Sequence, residues 1–265
     1  MELFLTSPYL IVAGWREVSL VDVLEGVSFT LWLSYCNFRC PWCSNSKIAR
    51  GLLKKRLPVD RVVEAVKAAA SFVDYLHVTG GEPTLQLKPL KKLFLKIREL
   101  TNLSLSINTN GSNPLAVKEL LPLLDHIAID IKAPLTDPYK YSNVIGLSLS
   151  ETKEYISKIA ETVNVSLQVP FLEFRTTVVP GLLTVDDVLK IADYLEKTVS
   201  KRTKSRVAFV IQQFIPYNGI LVERYRKLKR TPPDILKEIA VRVAESARSF
   251  EVYYRSLEEG VQKIK

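Results

Sequence analysis

Apolar positions along the 265-residue chain come in short β-branched runs that alternate with longer stretches of helical spacing. Tyr9 to Glu25 alternates weakly and reads as an N-terminal hairpin or extension. Val27 to Tyr35 (VSFTLWLSY) is rich in β-branched and aromatic residues and reads as a buried strand. A helix from Val59 to Phe72 follows, with Pro58 at its start and an alanine-rich apolar face. The pattern then repeats: strand Tyr75–Thr79, helix Lys88–Leu100, strand Leu103–Thr109, helix Pro114–Leu124, strand His126–Ile131, helix Glu151–Val163. Val165 to Val179 reads as extended, with a bend at Pro170. A helix over Val185–Thr198, a strand over Val207–Phe214, a helix over Asp234–Ser249 and a short strand over Glu251–Tyr254 complete the series.

Six βα units in a row predict a parallel sheet with helices outside it, which either a barrel or a doubly wound sheet would satisfy. The polar residues choose between them. Nearly every strand ends in a polar or glycine cluster: Cys36–Cys43, Thr79–Glu82, Asn108–Gly111, Asp130–Lys132, Arg175 with Pro180 and Gly181, and Pro216–Asn218. In parallel barrels the strand C-termini converge on one mouth where active sites are built, so six clusters favour a barrel. No repeat, low-complexity tract or flexible linker interrupts the chain. One domain is therefore expected over 1–265, with an N-terminal extension (1–26), a barrel core (27–215) and a C-terminal helix and strand (216–265).

A hydrophobic content of 47% is enough for a full core. No run approaches the ~18 uncharged apolar residues of a membrane span, and the N-terminus lacks the basic start of a signal peptide. A reducing, cytoplasmic setting is expected for three clustered cysteines. The net charge of +9 concentrates at Lys47 to Arg56 (KIARGLLKKR), Lys201 to Arg206 (KRTKSR) and Arg224 to Arg230 (RYRKLKR). Solvated loops and helix faces are the ordinary reading of such patches; nucleic acid, an acidic protein or an anionic cofactor are the others.

All three cysteines lie in one stretch, YCNFRCPWCSN, as Cys36, Cys40 and Cys43 with C-x3-C-x2-C spacing. Closed structural zinc sites take four protein ligands, and closed iron–sulfur clusters usually take four cysteines. Three thiols therefore point to a cubane iron–sulfur cluster with one position open for a substrate or cofactor. Gly80, Gly81 and Glu82 follow the second strand of the series; two glycines allow close backbone approach and the glutamate can receive an ammonium group, whereas a plain turn is the ordinary alternative. Asn110-Gly111, after Asn108-Thr109, equally marks a tight turn. Asp130 and Lys132 form either an ion pair at the mouth or a grip on a carboxylate and ribose hydroxyls. Arg175 offers a bidentate fork suited to a carboxylate. His77 and His126 read as core or strand-end histidines before they read as metal ligands.

The combination of C-x3-C-x2-C, with an aromatic before its last cysteine, and TGGEPT, INTNG, IAIDIK and VVPG resembles the radical S-adenosylmethionine (SAM) superfamily. The stretch from Val18 to Gly181 resembles more closely the activating enzymes of glycyl radical enzymes, of the pyruvate formate-lyase and anaerobic ribonucleotide reductase types. The resemblance implies a partial, open TIM-like (βα)6 barrel. It implies that Cys36, Cys40 and Cys43 hold three irons of one [4Fe–4S] cluster and that SAM chelates the fourth. It places Trp42 near the adenine, Gly80, Gly81 and Glu82 at the methionine amino group, and Asn108, Thr109, Asp130, Lys132 and Arg175 along the ribose and carboxylate. One electron would cleave SAM to methionine and a 5′-deoxyadenosyl radical, which would take a hydrogen atom from a glycine Cα of a partner glycyl radical enzyme. A flavodoxin- or ferredoxin-type donor would supply the electron.

Two positions depart from that family pattern. Asn108 stands where many formate-lyase-type activases carry Asp, and Asn218 stands where they carry a histidine after Pro-Tyr. Two rivals remain open on the sequence: the same chemistry on a small molecule, peptide or tRNA, and a non-enzymatic metal-binding module with a histidine as fourth ligand.

Overall fold

A computed structural model describes residues 8–199 and 205–265. The second basic patch therefore falls largely outside the described residues, as does the start of the N-terminus. Ten strands form one sheet: β1 (Tyr9–Val23), β2 (Gly26–Leu33), β3 (Lys55–Pro58), β4 (Tyr75–Gly80), β5 (Ser104–Thr109), β6 (His126–Asp130), β7 (Phe171–Val178), β8 (Arg206–Gln213), β9 (Glu251–Ser256) and β10 (Gly260–Lys263). Their spatial order is β10-β9-β8-β7-β6-β5-β4-β2-β1-β3. From β2 through β9 every neighbouring pair is parallel, while β1, β3 and β10 attach antiparallel at the edges. The sheet does not close on itself, and the fold is a partial, TIM-like barrel.

Nine helices accompany the strands among the described residues: α1 (Ser46–Ala49), α2 (Val59–Ala69), α3 (Leu87–Leu100), α4 (Pro114–Leu120), α5 (Pro138–Ile145), α6 (Leu149–Ser166), α7 (Val185–Val199), α8 (Glu223–Arg226) and α9 (Pro233–Ser246). Helix starts follow local chemistry. Proline opens α4, α5 and α9, where a missing N–H costs nothing. Asn113 and Asp137 cap the first two of these with side-chain oxygens. Ser148 and Glu151 form a reciprocal capping box on α6.

Strand alternation sorts the residues by face. Phe29, Leu31, Leu76, Val78, Leu105, Ile107, Ile127, Ile129, Leu172, Phe174, Phe209 and Ile211 belong to one core cluster shared with the helices. The intervening positions line the lumen and are mostly polar. Thr30 pairs with His77, His77 with Ser106, and Ser106 with His126; Asp130 pairs with Arg175, and Gln212 with Arg255.

Three expectations shift. Tyr9–Val23 is one continuous strand rather than a hairpin in itself; its partner is β2, reached by a two-residue turn at Leu24 and Glu25, where Glu25 has φ 58° and Gly26 follows. That turn plugs one end of the lumen: Leu24 packs with Phe171, Ala208, Val210 and Tyr253, and Glu25 accepts hydrogen bonds from Arg206 and Tyr253. Residues 165 and 166 continue α6, because its apolar face, with Ile159 and Val163 buried, carries on to Ser166 before the chain turns into β7 at Phe171. Strand β9 is also parallel to β8, which extends the series to seven parallel strands.

Candidate active site

The cysteine loop begins where β2 ends, and neighbouring backbone holds it in place. Tyr35 takes a left-handed φ of 77°, a costly conformation for a residue with a side chain. Its carbonyl accepts from Glu82 N at 2.7 Å, and its N–H donates to Ile48 O at 3.1 Å. Gly81 fits against this turn because a Cβ there would lie 2.0 Å from Tyr35 O. Gly80 has φ 118° and a Cβ there would lie 2.3 Å from Leu33 O. The pair of glycines is thus required by the close approach of β4's end to the cysteine loop. On the other side Arg39 N donates to Ile145 O at 2.8 Å, Trp42 Nε1 donates to Val144 O at 2.9 Å, and Gly146 makes room for Arg39 O.

Cys36, Cys40 and Cys43 are unpaired and partly buried. Burial pushes the Cys36 thiol up to about 12, with Glu82 adding to the shift, and burial raises Cys40 and Cys43 as well. The positive charge of Lys132 acts in the opposite direction on all three. Cys36 Sγ receives Phe38 N at 3.3 Å and Asn110 Nδ2 at 3.7 Å. Asn110 also donates to Asn37 Oδ1 at 3.0 Å.

Glu82 is completely buried. Its Oε1 accepts from Thr84 N at 3.1 Å, Thr84 Oγ1 at 2.6 Å and Thr109 Oγ1 at 2.7 Å, and its Oε2 accepts from Asn110 N at 2.7 Å. Burial raises its pKa while those bonds pull it down. The carboxylate therefore clamps the ends of β4 and β5 together, and the hydroxyl of Thr109 is spent on the clamp.

Lys132 Nζ donates to Asp130 Oδ2 at 2.9 Å and sits 5.6 Å from the centroid of the Trp42 ring. Burial works against its charge, but Asp130 and Cys40 hold its pKa above the ordinary lysine value. Asn108 bridges the next link, donating to Asp130 Oδ2 at 3.3 Å and accepting from Arg175 Nη1 at 2.9 Å. The fork of Arg175 is engaged by Glu173: Nε to Oε1 at 2.7 Å and Nη2 to Oε2 at 3.0 Å, with Nη2 also donating to Asp22 O at 2.6 Å. The expectation of a bidentate Arg175 grip on a ligand carboxylate does not hold in this arrangement, since four donor contacts go to protein. His126 Nε2 lies 3.1 Å from Glu173 Oε2, and the bonds continue through Ser106 to His77. Both histidines lie in the lumen.

The sequence reading missed Asn110, the polar residue of Asn-Thr-Asn-Gly that reaches a cysteine. It also missed Gln86, whose amide exchanges hydrogen bonds with Ile11 N and O and donates to Ser34 O, tying β1 to the start of the loop. An asparagine before glycine is the same signal as a turn, and nothing in sequence marks Gln86.

An open parallel α/β barrel with three free thiols after its first parallel strand, and a lysine–carboxylate pair at the end of another, defines the class. The radical SAM superfamily family model matches residues 31–195. The chain belongs to that superfamily. A Methanocaldococcus jannaschii protein, provisionally named a glycyl-radical enzyme activating enzyme, is 29% identical over 86% of this chain and 90% of its own length. The 7-carboxy-7-deazaguanine synthase of Thermococcus kodakarensis is 31% identical over 44% of this chain and 53% of its own length. Among solved structures, the FeFe-hydrogenase maturase HydG from Carboxydothermus hydrogenoformans superposes with a TM-score of 0.58 at 16% identity, covering 82% of this chain and 50% of that one. The chain thus spans about half the length of that maturase, and the likeness concerns the fold.

Superfamily membership implies a [4Fe–4S] cluster and SAM, and the donor set fits. Three unpaired thiols share one loop, two N–H groups point at Cys36 Sγ, and a lysine charge lies near all three sulfurs. Among the described residues no three His, Cys, Asp or Glu side chains gather tightly enough to hold a single metal ion. No helix among the described residues is long and apolar enough to cross a membrane.

Proposed function

We propose that this enzyme activates a partner protein by removing a hydrogen atom from one of the partner's glycine Cα positions. The observation that carries this reading is the similarity to the M. jannaschii protein over 86% of this chain and 90% of that one. In this reading Cys36, Cys40 and Cys43 would hold three irons of the cluster and leave the fourth for SAM. When bound, cluster and SAM would supply the one-electron chemistry needed to remove a hydrogen atom.

The rest is the work of the chain's own side chains. Lys132 keeps one N–H on Asp130 and has its others available for the SAM carboxylate. Gly80 and Gly81 present bare backbone to the methionine amino group, while Glu82 holds that edge rigid from behind. The Trp42 ring lies near the adenine. Asn108, Asp130 and Thr109 flank the ribose, directly or through the clamp. Arg175 positions Asn108 rather than gripping the ligand. A flavodoxin- or ferredoxin-type donor suits the basic stretch from Lys47 to Arg56, which follows directly on the cysteine loop.

Anaerobic reconstitution with iron and sulfide, followed by SAM and dithionite, is expected to give 5′-deoxyadenosine in the parent and none in Cys40→Ala. A loaded protein without turnover would end the enzyme reading. A partner deuterated at glycine is then expected to pass deuterium into 5′-deoxyadenosine. Deuterium arriving from a small molecule instead would favour the second reading, a small-molecule substrate, which the similarity to the T. kodakarensis synthase supports.

A further inference from the structure

Most polar groups described in the lumen are paired, and the exceptions are His77 and Arg255, near enough for the charge of the arginine to bear on the histidine. The hydrogen-bond chain fixes their polarity. Glu173, beside the Arg175 guanidinium, is a carboxylate and accepts only, so the proton of neutral His126 sits on Nε2. His126 Nδ1 is then a bare acceptor for the Ser106 hydroxyl, at 2.7 Å. With its one proton committed, Ser106 Oγ accepts from His77 Nδ1–H, also at 2.7 Å. This leaves His77 Nε2 as a bare acceptor, buried and without a partner.

Arg255, on β9, has the opposite need. Its Nη1 donates to Val21 O at 2.6 Å, while Nε and Nη2 are buried with no partner. Burial and the nearby Arg175 push its pKa down to about 10, and its charge in turn helps keep His77 neutral. The strand carrying Arg255 is the last parallel strand, and the β1–β2 hairpin reaches across to it. Arg255 therefore lies where the β1–β2 hairpin spans the gap between the two ends of the parallel series.

We propose that the lumen between His77 and Arg255 is a substrate subsite for an amide group, with the carbonyl oxygen on Arg255 Nε–H and Nη2–H and the amide N–H on His77 Nε2. Two orphans of opposite sense select this chemistry. A phosphate or carboxylate would meet Arg255 but set lone pairs against His77 Nε2. An ammonium group would suit His77 but be repelled by Arg255. An amide satisfies both, and each buried donor or acceptor left unmet carries a desolvation penalty that binding relieves. Resting on the activase reading, the amide belongs to the backbone of the partner's glycine segment.

The chain has only two histidines, so its ring-nitrogen NMR spectrum can be read directly. In the full-length protein labelled with 15N-histidine, one ring is expected protonated at Nδ1 and the other at Nε2. Titration with acetyl-glycyl-glycine N-methylamide is expected to shift the bare Nε2 signal of His77 saturably. Arg255→Met is expected to weaken that binding by roughly tenfold or more. In the ligand-free state the same variant should melt at or above the parent temperature, because a buried cation with two unmet donors has been removed.

No shift with this peptide or with guanosine, which sets its carbonyl and N–H on one edge where a trans peptide sets them on opposite edges, would mean that the lumen holds water alone and would overturn the proposal. Binding of guanosine but not of the peptide would overturn the backbone assignment. A lower melting temperature in Arg255→Met with unchanged peptide binding would make the arginine purely structural. The binding readout needs no cluster. Peptide binding without 5′-deoxyadenosine formation would therefore fault the enzyme reading alone, and an undiminished kcat/KM of Arg255→Met on a glycine partner would fault the subsite alone.

Discussion

Each barrel strand turns one set of side chains to the helices and the next to the lumen, and the two sets are held by different forces. On β7 the outward residues are Leu172 and Phe174, both in the aliphatic and aromatic core, whereas the inward Glu173 and Arg175 form a buried ion pair. On β6 Ile127 and Ile129 face the helices, and His126 and Asp130 face inward. The outer face gains stability in proportion to apolar area removed from water, and its contacts are interchangeable among residues of similar volume. The inner face gains little net stability from its charges, because each was desolvated to get there, and it tolerates the loss of a partner badly. A sheet arranged this way rests on its outside and can devote its inside to binding.

The largest expected effect is on the outer face. Phe174 is fully buried, and Phe174→Ala should cost about 3–5 kcal/mol in urea denaturation through lost transfer energy and a cavity. No companion substitution in the lumen should restore it. Recovery of that loss by an inner-face change would mean that the two faces are not independent.

The inner face should behave otherwise. Glu173→Ala strands Arg175 as a buried, unpaired cation and should cost about 3–4 kcal/mol. Replacing both residues, as Glu173→Met with Arg175→Met, should return stability to within about 1 kcal/mol of the parent. The double variant should still lose activity, since Asn108 would no longer be held from Arg175 Nη1. Additive losses in the double variant would show that the pair contributes net stability, against the contrast drawn here.

The histidines set a pH dependence with a definite sign. Burial lowers the pKa of His77 and of His126 below the ordinary 6.5, with Arg175 adding to the effect at His77 and Glu173 opposing it at His126. A base whose folded pKa is depressed contributes stability that is present above its unfolded pKa and lost as pH falls below it. Glu173 acts in the same direction lower down, below about 4.5: burial opposes its ionisation, but Arg175 and His126 outweigh it and hold its carboxyl well below the usual range. Glu82 has the opposite sign, because burial raises its pKa and its contribution fades as pH rises through the folded value. As pH falls below 6.5 the two histidines should destabilise the fold, each by at most about 1.4 kcal/mol per pH unit. His77→Gln should make that slope shallower in melts at pH 7.5 and 5.5, whereas Phe174→Ala should leave the slope unchanged.

Much of the outer face was legible in the sequence, because burial against helices imposes short apolar runs such as HIAID and VAFVIQ in regular alternation with helical stretches. The mouth was legible too, since chemistry-bearing residues gather at strand ends. The lumen was not. That Glu173 would occupy the fork of Arg175 depends on two residues of one strand sharing a face, with His126 delivered by the neighbouring strand, and the fork alone looks free for a ligand. Helices α1 and α8 and strand β3, of four residues each, are shorter than any period can reveal. Their positions come from tertiary partners, as β3 from pairing with Tyr9 to Val12. Asn110 was hidden for a different reason: its role comes from distance to Cys36, which a turn-like motif does not encode.

The smallest expected effect tests whether charge or dryness separates the two faces. Lys197 and Asp193 form an i,i+4 pair on α7 at 2.7 Å, with side chains 72% and 64% exposed. Its N–O distance matches that of the lumen pair, Arg175 and Glu173, which also lie 2.7 Å apart but are 7% and 0% exposed. Lys197→Ala should cost only about 0.3–0.5 kcal/mol, and that difference should vanish in ~1 M salt, where the Debye length is about 3 Å. The cost of Glu173→Ala should persist at the same salt, because ions cannot enter the lumen to replace the missing carboxylate. If both costs fell together with ionic strength, the lumen would be wet and its network no different in kind from surface charge. If only the surface pair responds, the inner face owes its rigidity to the exclusion of water, which is also the condition for a radical to meet its substrate and nothing else.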